Sequence, residues 1–128
     1  IKTVKAGTTG GDMKNQLDND NSKLEIWKAD GSAQVGDGDK VGTGMIDKLI
    51  INGTEKDRKT IVVKGDTDGN GKITLLDAVK TLNHYLKKIT LEGAYLEAAD
   101  VDGNNKISLL DAVKILNHYL GKSSIYTV

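Results

Sequence analysis

The sequence of 128 residues contains no cysteine and no phenylalanine, and its aromatic residues are one tryptophan and four tyrosines. Without cysteine there is no disulfide framework and no thiol chemistry, so cysteine usage gives no information on the redox compartment. With so few aromatic rings, the apolar core must be built from Ile, Leu and Val. Each half of the chain is small for an independent core, so we expect it to need a further source of stability.

The sequence also lacks long apolar runs and any excess of charge of one sign. No run approaches the roughly 20 apolar residues of a membrane span, and no signal peptide is recognisable. The 18 basic residues balance the 18 acidic ones, which gives no reason to expect binding to nucleic acid or to a membrane. The length allows one domain or two small ones. From the way the sequence begins, we expect it to be the C-terminal part of a larger protein.

The most informative stretch is residues 66–77, where oxygen-bearing side chains recur at regular spacing. They occupy positions 1, 3, 5, 9 and 12 of the stretch, and position 7 offers a backbone carbonyl. This spacing surrounds a hard cation with oxygen ligands, as calcium prefers. Gly71 lies at position 6, where the chain turns sharply with a positive φ. The predicted calcium ligands are Asp66, Asp68, Asn70, the carbonyl of Lys72, Thr74 through water, and Asp77.

The same pattern recurs 34 residues later, in residues 100–111. Residues 66–86 and 100–120 match at 17 of 21 positions, and the four differing pairs are Thr67/Val101, Gly71/Asn105, Thr74/Ser108 and Thr81/Ile115. Two complete loops in register predict two Ca²⁺ ions. Mg²⁺ is less suited to such loops because it resists all-protein cages. The ligands predicted in the second loop are Asp100, Asp102, Asn104, the carbonyl of Lys106, Ser108 through water, and Asp111.

An amphipathic helix is predicted after each loop, over residues 74–86 and 108–120. A loop–helix unit cannot bury its own apolar face, so we expect the two units to pack around a pseudo-two-fold axis. Helical spacing predicts a shorter helix between them, capped by Thr90. The buried stripe predicted for the first long helix consists of Leu75, Val79, Leu82 and Leu86.

Two such loops, each leading into one helix with a short helical spacer between them, resemble a dockerin. Dockerins are small calcium-dependent modules that plug secreted proteins into the cohesin modules of bacterial multi-enzyme complexes. The resemblance covers about residues 65–121. It is specific because Asp77 and Asp111 replace the Glu that a general EF-hand prefers at position 12, and a β-like run precedes the first loop. It implies a cohesin partner, an extracellular bacterial location, a role in polysaccharide-degrading assemblies and no catalysis.

The resemblance also implies which residues contact the cohesin. Loop positions 10 and 11 and helix positions 17, 18 and 22 usually do so in dockerins. Position 22 of the second repeat is Gly121, so its neighbour Lys122 corresponds only weakly. A core role remains the alternative for Leu76, Leu110, Leu82 and Leu116. The implied contacts are Leu75, Leu76, Leu82, Asn83, Lys87, Leu109, Leu110, Leu116 and Asn117.

The first half reads as a small β-rich module with one short helix. It resembles, more loosely, the Ig-like or X-type modules that often precede dockerins. The fold class expected from the sequence is therefore α+β: a β-rich module over residues 1–64, then an all-α dockerin of two loop–helix repeats over residues 65–128. The expected elements are strands at 1–4, 23–28, 45–51 and 60–63, a helix containing Met13 and Leu17, a turn at 19–22, and a hairpin turn at Asn52 and Gly53.

Other functions fit the sequence less well. An EF-hand calcium sensor with a peptide-binding groove is the main alternative, but it needs helix–loop–helix pairs and a Met-rich face, and the second half has no Met. Carbohydrate binding would have to rely on Trp27 and scattered tyrosines. We expect His84 and His118 to be solvated surface residues rather than zinc ligands. No arrangement of residues suggests catalysis, and we expect a monomer in the absence of the partner.

Overall fold

The structure is a computed structural model that describes residues 2–14 and 22–126. No helix within these ranges has the length and apolar character that a membrane span requires. The elements in chain order are β1 (Lys2–Val4), α1 (Gly10–Lys14), β2 (Ser22–Trp27), β3 (Ile46–Ile51), β4 (Thr54–Val63), α2 (Leu75–Tyr85), α3 (Gly93–Ala99) and α4 (Leu109–Tyr119).

The four strands form one mixed sheet in the order β1-β4-β3-β2. β1 is parallel to β4, and the other two pairs are antiparallel. The predicted hairpin turn is confirmed: Asn52 and Gly53 have φ angles of 53° and 79° and join β3 to β4. Met13, on the short helix α1, is fully buried, in the core that this half forms with Ile26, Val35, Val41, Ile61 and Val63.

Two details of the first half differ from the sequence expectation or lie beyond it. β4 begins at Thr54, six residues before the predicted start at Thr60. Its first seven residues are exposed and largely charged. They lack the alternating apolar residues that predict a strand, yet they pair with β3 across the hairpin. The predicted helix position Leu17, residues 19–21 of the predicted turn, and Ile1 lie outside the described residues.

The two loop–helix units pack together through α2 and α4, as predicted. The predicted stripe of α2 is wrong, because Leu75, Val79 and Leu86 are exposed, and the buried residues of the helix are Asp77, Ala78 and Thr81. Short side chains thus occupy the buried positions of α2, and its larger apolar residues Leu75, Val79 and Leu86 lie on the outer surface. The predicted cap of the spacer helix is also wrong, because α3 begins at Gly93 with Glu92 as its N-cap.

The predicted fold class, a β-rich module followed by an all-α dockerin of two loop–helix repeats, is contradicted. The described residues form a four-stranded mixed sheet together with four helices, of which α1 and α3 contact the sheet. α3 contacts β4, and the Gly65 N–H donates a hydrogen bond to the Ala98 carbonyl at 2.8 Å. The periodicity of the side chains could not predict this packing, because backbone groups form part of the contact. The domain boundary after residue 64 stays a prediction.

The C-terminal residues return to the junction between the sheet and the first loop. The Tyr126 hydroxyl donates a hydrogen bond to the Lys64 carbonyl at 2.7 Å and accepts one from the Ala6 N–H at 2.8 Å. The Tyr126 ring also packs edge-on against His118, with ring centroids 5.4 Å apart. One side chain thus connects the segment after β1, the residue after β4, and α4.

Replacing Tyr126 with Phe should lower the free energy of unfolding by about 1–2 kcal/mol, because a part-buried carbonyl and N–H lose their partner. Chemical denaturation in calcium would measure this change. Tyr119→Phe is the matched control, since Tyr119 ends α4 with its side chain 48% exposed. Equal stabilities of the two variants would show that the Tyr126 bonds contribute nothing.

We also expect the sheet half and the helical half to tumble as one body. Only Lys64 and Gly65 separate β4 from the first loop, which is too short for a flexible linker. Amide NMR relaxation in calcium should give one rotational correlation time for both halves. Two distinct correlation times would contradict the expectation.

Candidate functional site

The three aspartates of the first loop come together as the sequence predicts. Asp66, Asp68 and Asp77 each present an oxygen, and these oxygens all lie within 4.8 Å of one another. Asp66 and Asp77 are fully buried. Three carboxylates at this separation repel one another, and a bound cation would relieve that repulsion.

Backbone N–H groups hold Asp66 in place. Its Oδ1 accepts hydrogen bonds from Gly69 and Asn70, each at 3.2 Å. Its Oδ2 accepts from Gly71 at 2.8 Å and from Thr43 at 3.1 Å. Three of these donors belong to the loop itself, whereas Thr43 comes from the sheet half.

Asp77 closes the other end of the loop. Its Oδ1 accepts hydrogen bonds from the N–H groups of Thr67 at 2.9 Å and Asp68 at 3.2 Å. Its Oδ2 accepts from the Thr74 N–H at 2.7 Å, and this bond is one half of a capping box at the start of α2. The same carboxylate therefore joins the loop and begins the helix.

The second loop brings together Asp100, Asp102 and Asp111, whose oxygens also lie within 4.8 Å of one another. Asp111 accepts from the Ser108 N–H at 2.9 Å, as Asp77 accepts from Thr74. Asp100 differs from Asp66: its Oδ2 accepts from the Asn105 N–H at 2.9 Å, and its buried Oδ1 has no hydrogen-bond partner. An unpartnered buried carboxylate oxygen at position 1 fits a bound cation, which would provide the missing interaction.

Burial raises the pKa of three of these carboxyl groups. It raises the pKa of Asp66 to about 7, and the neighbouring Asp68 adds to the effect. Burial also raises the pKa of Asp77 and of Asp111, with the like charges of Asp68 and Asp102 contributing. Desolvation and like charges disfavour the ionised carboxylates, and both effects are offset by a divalent ion.

The remaining predicted ligands lie in the same loops. The side-chain carbonyl of Asn70 accepts from the Lys72 N–H at 2.9 Å, and that of Asn104 accepts from Lys106 at 3.0 Å. These bonds fix the turns from which the carbonyls of Lys72 and Lys106 would reach a cation. Coordination by Asn70, Thr74, Asn104 and Ser108 stays a prediction, as does the full ligand set of each ion.

The apolar residues that begin the two long helices form matching exposed surfaces. Leu75 and Leu76 are each 50% exposed, and their counterparts Leu109 and Leu110 are 51% and 52% exposed. The core alternative for Leu76 and Leu110 is therefore wrong. The other predicted contacts differ in burial: Lys87 is exposed, and Leu82, Asn83, Leu116 and Asn117 are half-buried. Their role in binding a partner stays a prediction.

The expectation for the two histidines is wrong. Both are half-buried, and each accepts a hydrogen bond at Nδ1 from the backbone N–H seven residues later: His84 from Leu91 at 2.9 Å, His118 from Ile125 at 3.2 Å. Each histidine thus holds the segment that follows its helix against that helix. Within the described ranges, the groups able to hold a metal consist of aspartates alone.

Sequence reasoning missed the contribution of Thr43 and its neighbours to the first loop. The signal available was the difference at position 6, where the first repeat has Gly71 and the second has Asn105. Both residues have positive φ, 80° and 66° respectively, so backbone conformation alone does not explain the glycine. The explanation lies in a neighbouring segment of the sheet half.

Comparison with known proteins gives a family match and a similar chain in a solved structure. The family model of the dockerin type I domain matches residues 64–121, and this part of the chain is a dockerin type I domain. A solved structure, of the third ScaC cohesin in complex with a mutated ScaB dockerin from Acetivibrio cellulolyticus displaying a type I interaction, contains a similar chain. The two are 41% identical over 48% of this chain and 88% of that one, with a TM-score of 0.47. No curated protein matches the chain.

Proposed function

We propose that this chain is a calcium-dependent assembly module that binds a cohesin through its dockerin type I domain and thereby anchors a larger secreted protein in a multi-protein complex. The match of residues 64–121 to the dockerin type I domain carries the proposal. A dockerin is a non-catalytic assembly module, so the domain contributes attachment rather than chemistry. An extracellular location, and a cellulosome-like complex that degrades polysaccharides, follow as part of the same proposal.

Each loop would hold one calcium ion, giving two in all. Dockerin domains typically bind calcium, and the clustered aspartates of each loop supply ligands of the type that calcium prefers. When bound, the ion neutralises the clustered carboxylates. Asp77 and Asp111 would then hold the loop ends and the first turns of α2 and α4 in one arrangement, since each also accepts the N–H at the helix N-cap. The ordered loops would position the exposed leucines that follow them.

The proposed cohesin contacts are the exposed leucine pairs and the helix positions that follow them. Leu75 and Leu76 on α2, and Leu109 and Leu110 on α4, are apolar side chains that remain half-exposed in the described structure. Large exposed apolar patches are typical of protein–protein contact sites. Because the repeats are nearly identical and their exposures match within 2%, we propose that either repeat can engage the cohesin.

The sheet half is proposed to be an X-type module that positions the dockerin. The proposal is supported by its place directly before the dockerin and by its contacts with the first loop. A sugar platform is less well supported: the Trp27 ring is half-buried, carries the Lys48 ammonium 4.4 Å from its centroid, and donates its N–H to Glu25. The Lys48 ammonium therefore covers one face of the ring on which a sugar would stack.

The calcium-sensor alternative is not favoured. In the described structure a strand, β4, leads into the first loop, whereas a sensor needs a helix on each side. The exposed apolar residues at the start of α2 and α4 are leucines, and both methionines of the sequence lie in the first half.

A panel of purified cohesins tests the proposed function. The chain, mixed in calcium with type I and type II cohesins, should give a shifted band on native gels with at least one type I cohesin. The shift should disappear in excess chelator and return when calcium is restored. Retention of the complex in chelator, or the absence of binding across a broad type I panel, would reject the proposal.

A further inference from the structure

Residues 41–44, here called the clamp segment, lie between the first loop and β4. Thr43 is 1% exposed, and its N–H donates to Asp66 Oδ2 at 3.1 Å. Its hydroxyl donates to the Val63 carbonyl at 3.1 Å and accepts from the Val63 N–H at 3.0 Å. The end of β4 thus fixes Thr43, and Thr43 in turn holds the first aspartate of the loop.

The clamp segment and the loop meet through their backbones. A Cβ on Gly42 would overlap the carbonyl oxygen of Gly69. A Cβ on Gly69 would lie 2.8 Å from the Thr43 carbonyl oxygen, and one on Gly71 would lie 2.8 Å from that of Val41. Glycines on both sides therefore allow an approach that side chains would prevent.

The second loop has no equivalent contact among the described residues. Asp100 accepts one backbone N–H there, whereas Asp66 accepts four. Asn105 occupies the position of Gly71 and is exposed. Gly103, the counterpart of Gly69, has open space where a Cβ would point. The glycine at position 71 is therefore explained by the clamp segment, since the same backbone angle tolerates Asn where that segment is absent.

We propose that the clamp segment is part of the first calcium site, so that the first loop binds calcium more tightly than the second and its calcium fastens the sheet half to the helical half. The Thr43 N–H pre-orients Asp66, and groups that orient metal ligands in this way typically change metal affinity by about 10–100-fold. Coupling is reciprocal, so calcium in the first loop stabilises the clamp contact by the same factor. This inference rests on the proposed binding of calcium by both loops.

An NMR titration of the whole chain with calcium tests the inference, since amide signals report each loop separately. The first loop should saturate at a free calcium concentration about tenfold or more below that of the second. Hydrogen exchange at the Thr43 amide should slow over the same concentration range as the first loop fills.

Two variants and two controls locate the effect. Gly71→Asn places the residue of the second loop at a position where its Cβ meets Val41, and it should weaken calcium binding by the first loop about tenfold or more. Gly42→Ala lies in the clamp segment and leaves the sequence of the loop unchanged, and it should also weaken calcium binding by the first loop about tenfold or more. The reciprocal Asn105→Gly should change the second loop by less than about threefold. Gly38→Ala, whose Cβ meets nothing within 4 Å, should change neither loop.

The outcomes separate this inference from the function on which it rests. If neither loop binds calcium, the proposed function fails. If both loops bind with equal affinity, and Gly71→Asn has no larger effect than Asn105→Gly, only the role of the clamp segment is overturned. Circular dichroism of each variant in saturating calcium checks that the fold is retained. If a variant has lost its fold, the unequal affinities and the Thr43 exchange in the parent chain decide alone.

Discussion

Excess chelator should melt α2 and α4 and remove most of the helical circular dichroism of this chain. Six aspartates in two loops would then repel one another without a cation. Burial further disfavours the ionised forms of Asp66, Asp77 and Asp111. Calcium at about 100 times its Kd adds about 2.7 kcal/mol of stability per site. The helical half has a small core, centred on Ala78, Val101 and Ile115, and two such contributions are large beside it.

The melting experiment has an internal control in the sheet half. Its core, which includes Met13, Ile26 and Val35, is distinct from the core of the helical half, so its near-ultraviolet signal from the single tryptophan, Trp27, should persist better than the helical signal. Adding calcium back should restore the helices. A far-ultraviolet spectrum that does not change in chelator at room temperature would show that the helical half folds without metal.

Converting both leucine pairs to aspartate should abolish cohesin binding, whereas converting one pair should have little effect. With two equivalent faces, losing one removes only a statistical factor of two, about 0.4 kcal/mol from RT ln 2. Losing Leu75, Leu76, Leu109 and Leu110 together removes both apolar surfaces and places four carboxylates there. Titration calorimetry in saturating calcium measures each step.

The substitutions are chosen to leave the fold intact. Leu75 and Leu109 are the first residues of their helices, where a negative charge interacts favourably with the helix dipole. Leu96→Asp on α3 is the matched control: it is 36% exposed but lies outside the proposed contacts, and it should bind like the parent. Loss of binding from one pair alone, with calcium loading preserved, would mean that a single face is used. Position 22 is Lys87 in the first repeat and Gly121 in the second, so we would then expect the first repeat to be the one that binds the cohesin.

The loops and their helices were predictable because their signals are local. The spacing from Asp66 to Asp77, repeated from Asp100 to Asp111, is set within twelve residues, and the structure brings the aspartates of each loop together. The bounds of α2 and α4 lie within one residue of the predicted ones. The hairpin at Asn52 and Gly53 is equally local, because both residues adopt positive φ readily.

The errors arose where the structure depends on contacts distant in sequence. The stripe assigned to α2 followed the positions of the largest apolar residues, but the neighbouring helix packs on Ala78 and Thr81. The fold class failed because the helical half packs on the sheet through backbone groups such as those of Gly65 and Thr43. Side-chain patterns carry little information on such contacts. The sequence indicated these contacts at one position, where the first repeat has Gly71 and the second has Asn105.

The most direct test of the central claim is the affinity of this chain for a type I cohesin measured across a series of fixed free calcium concentrations. We expect binding to appear only as the loops fill, and cohesin in turn to raise the apparent calcium affinity, because the coupling is reciprocal. A cohesin affinity that is the same in chelator and in saturating calcium would contradict it.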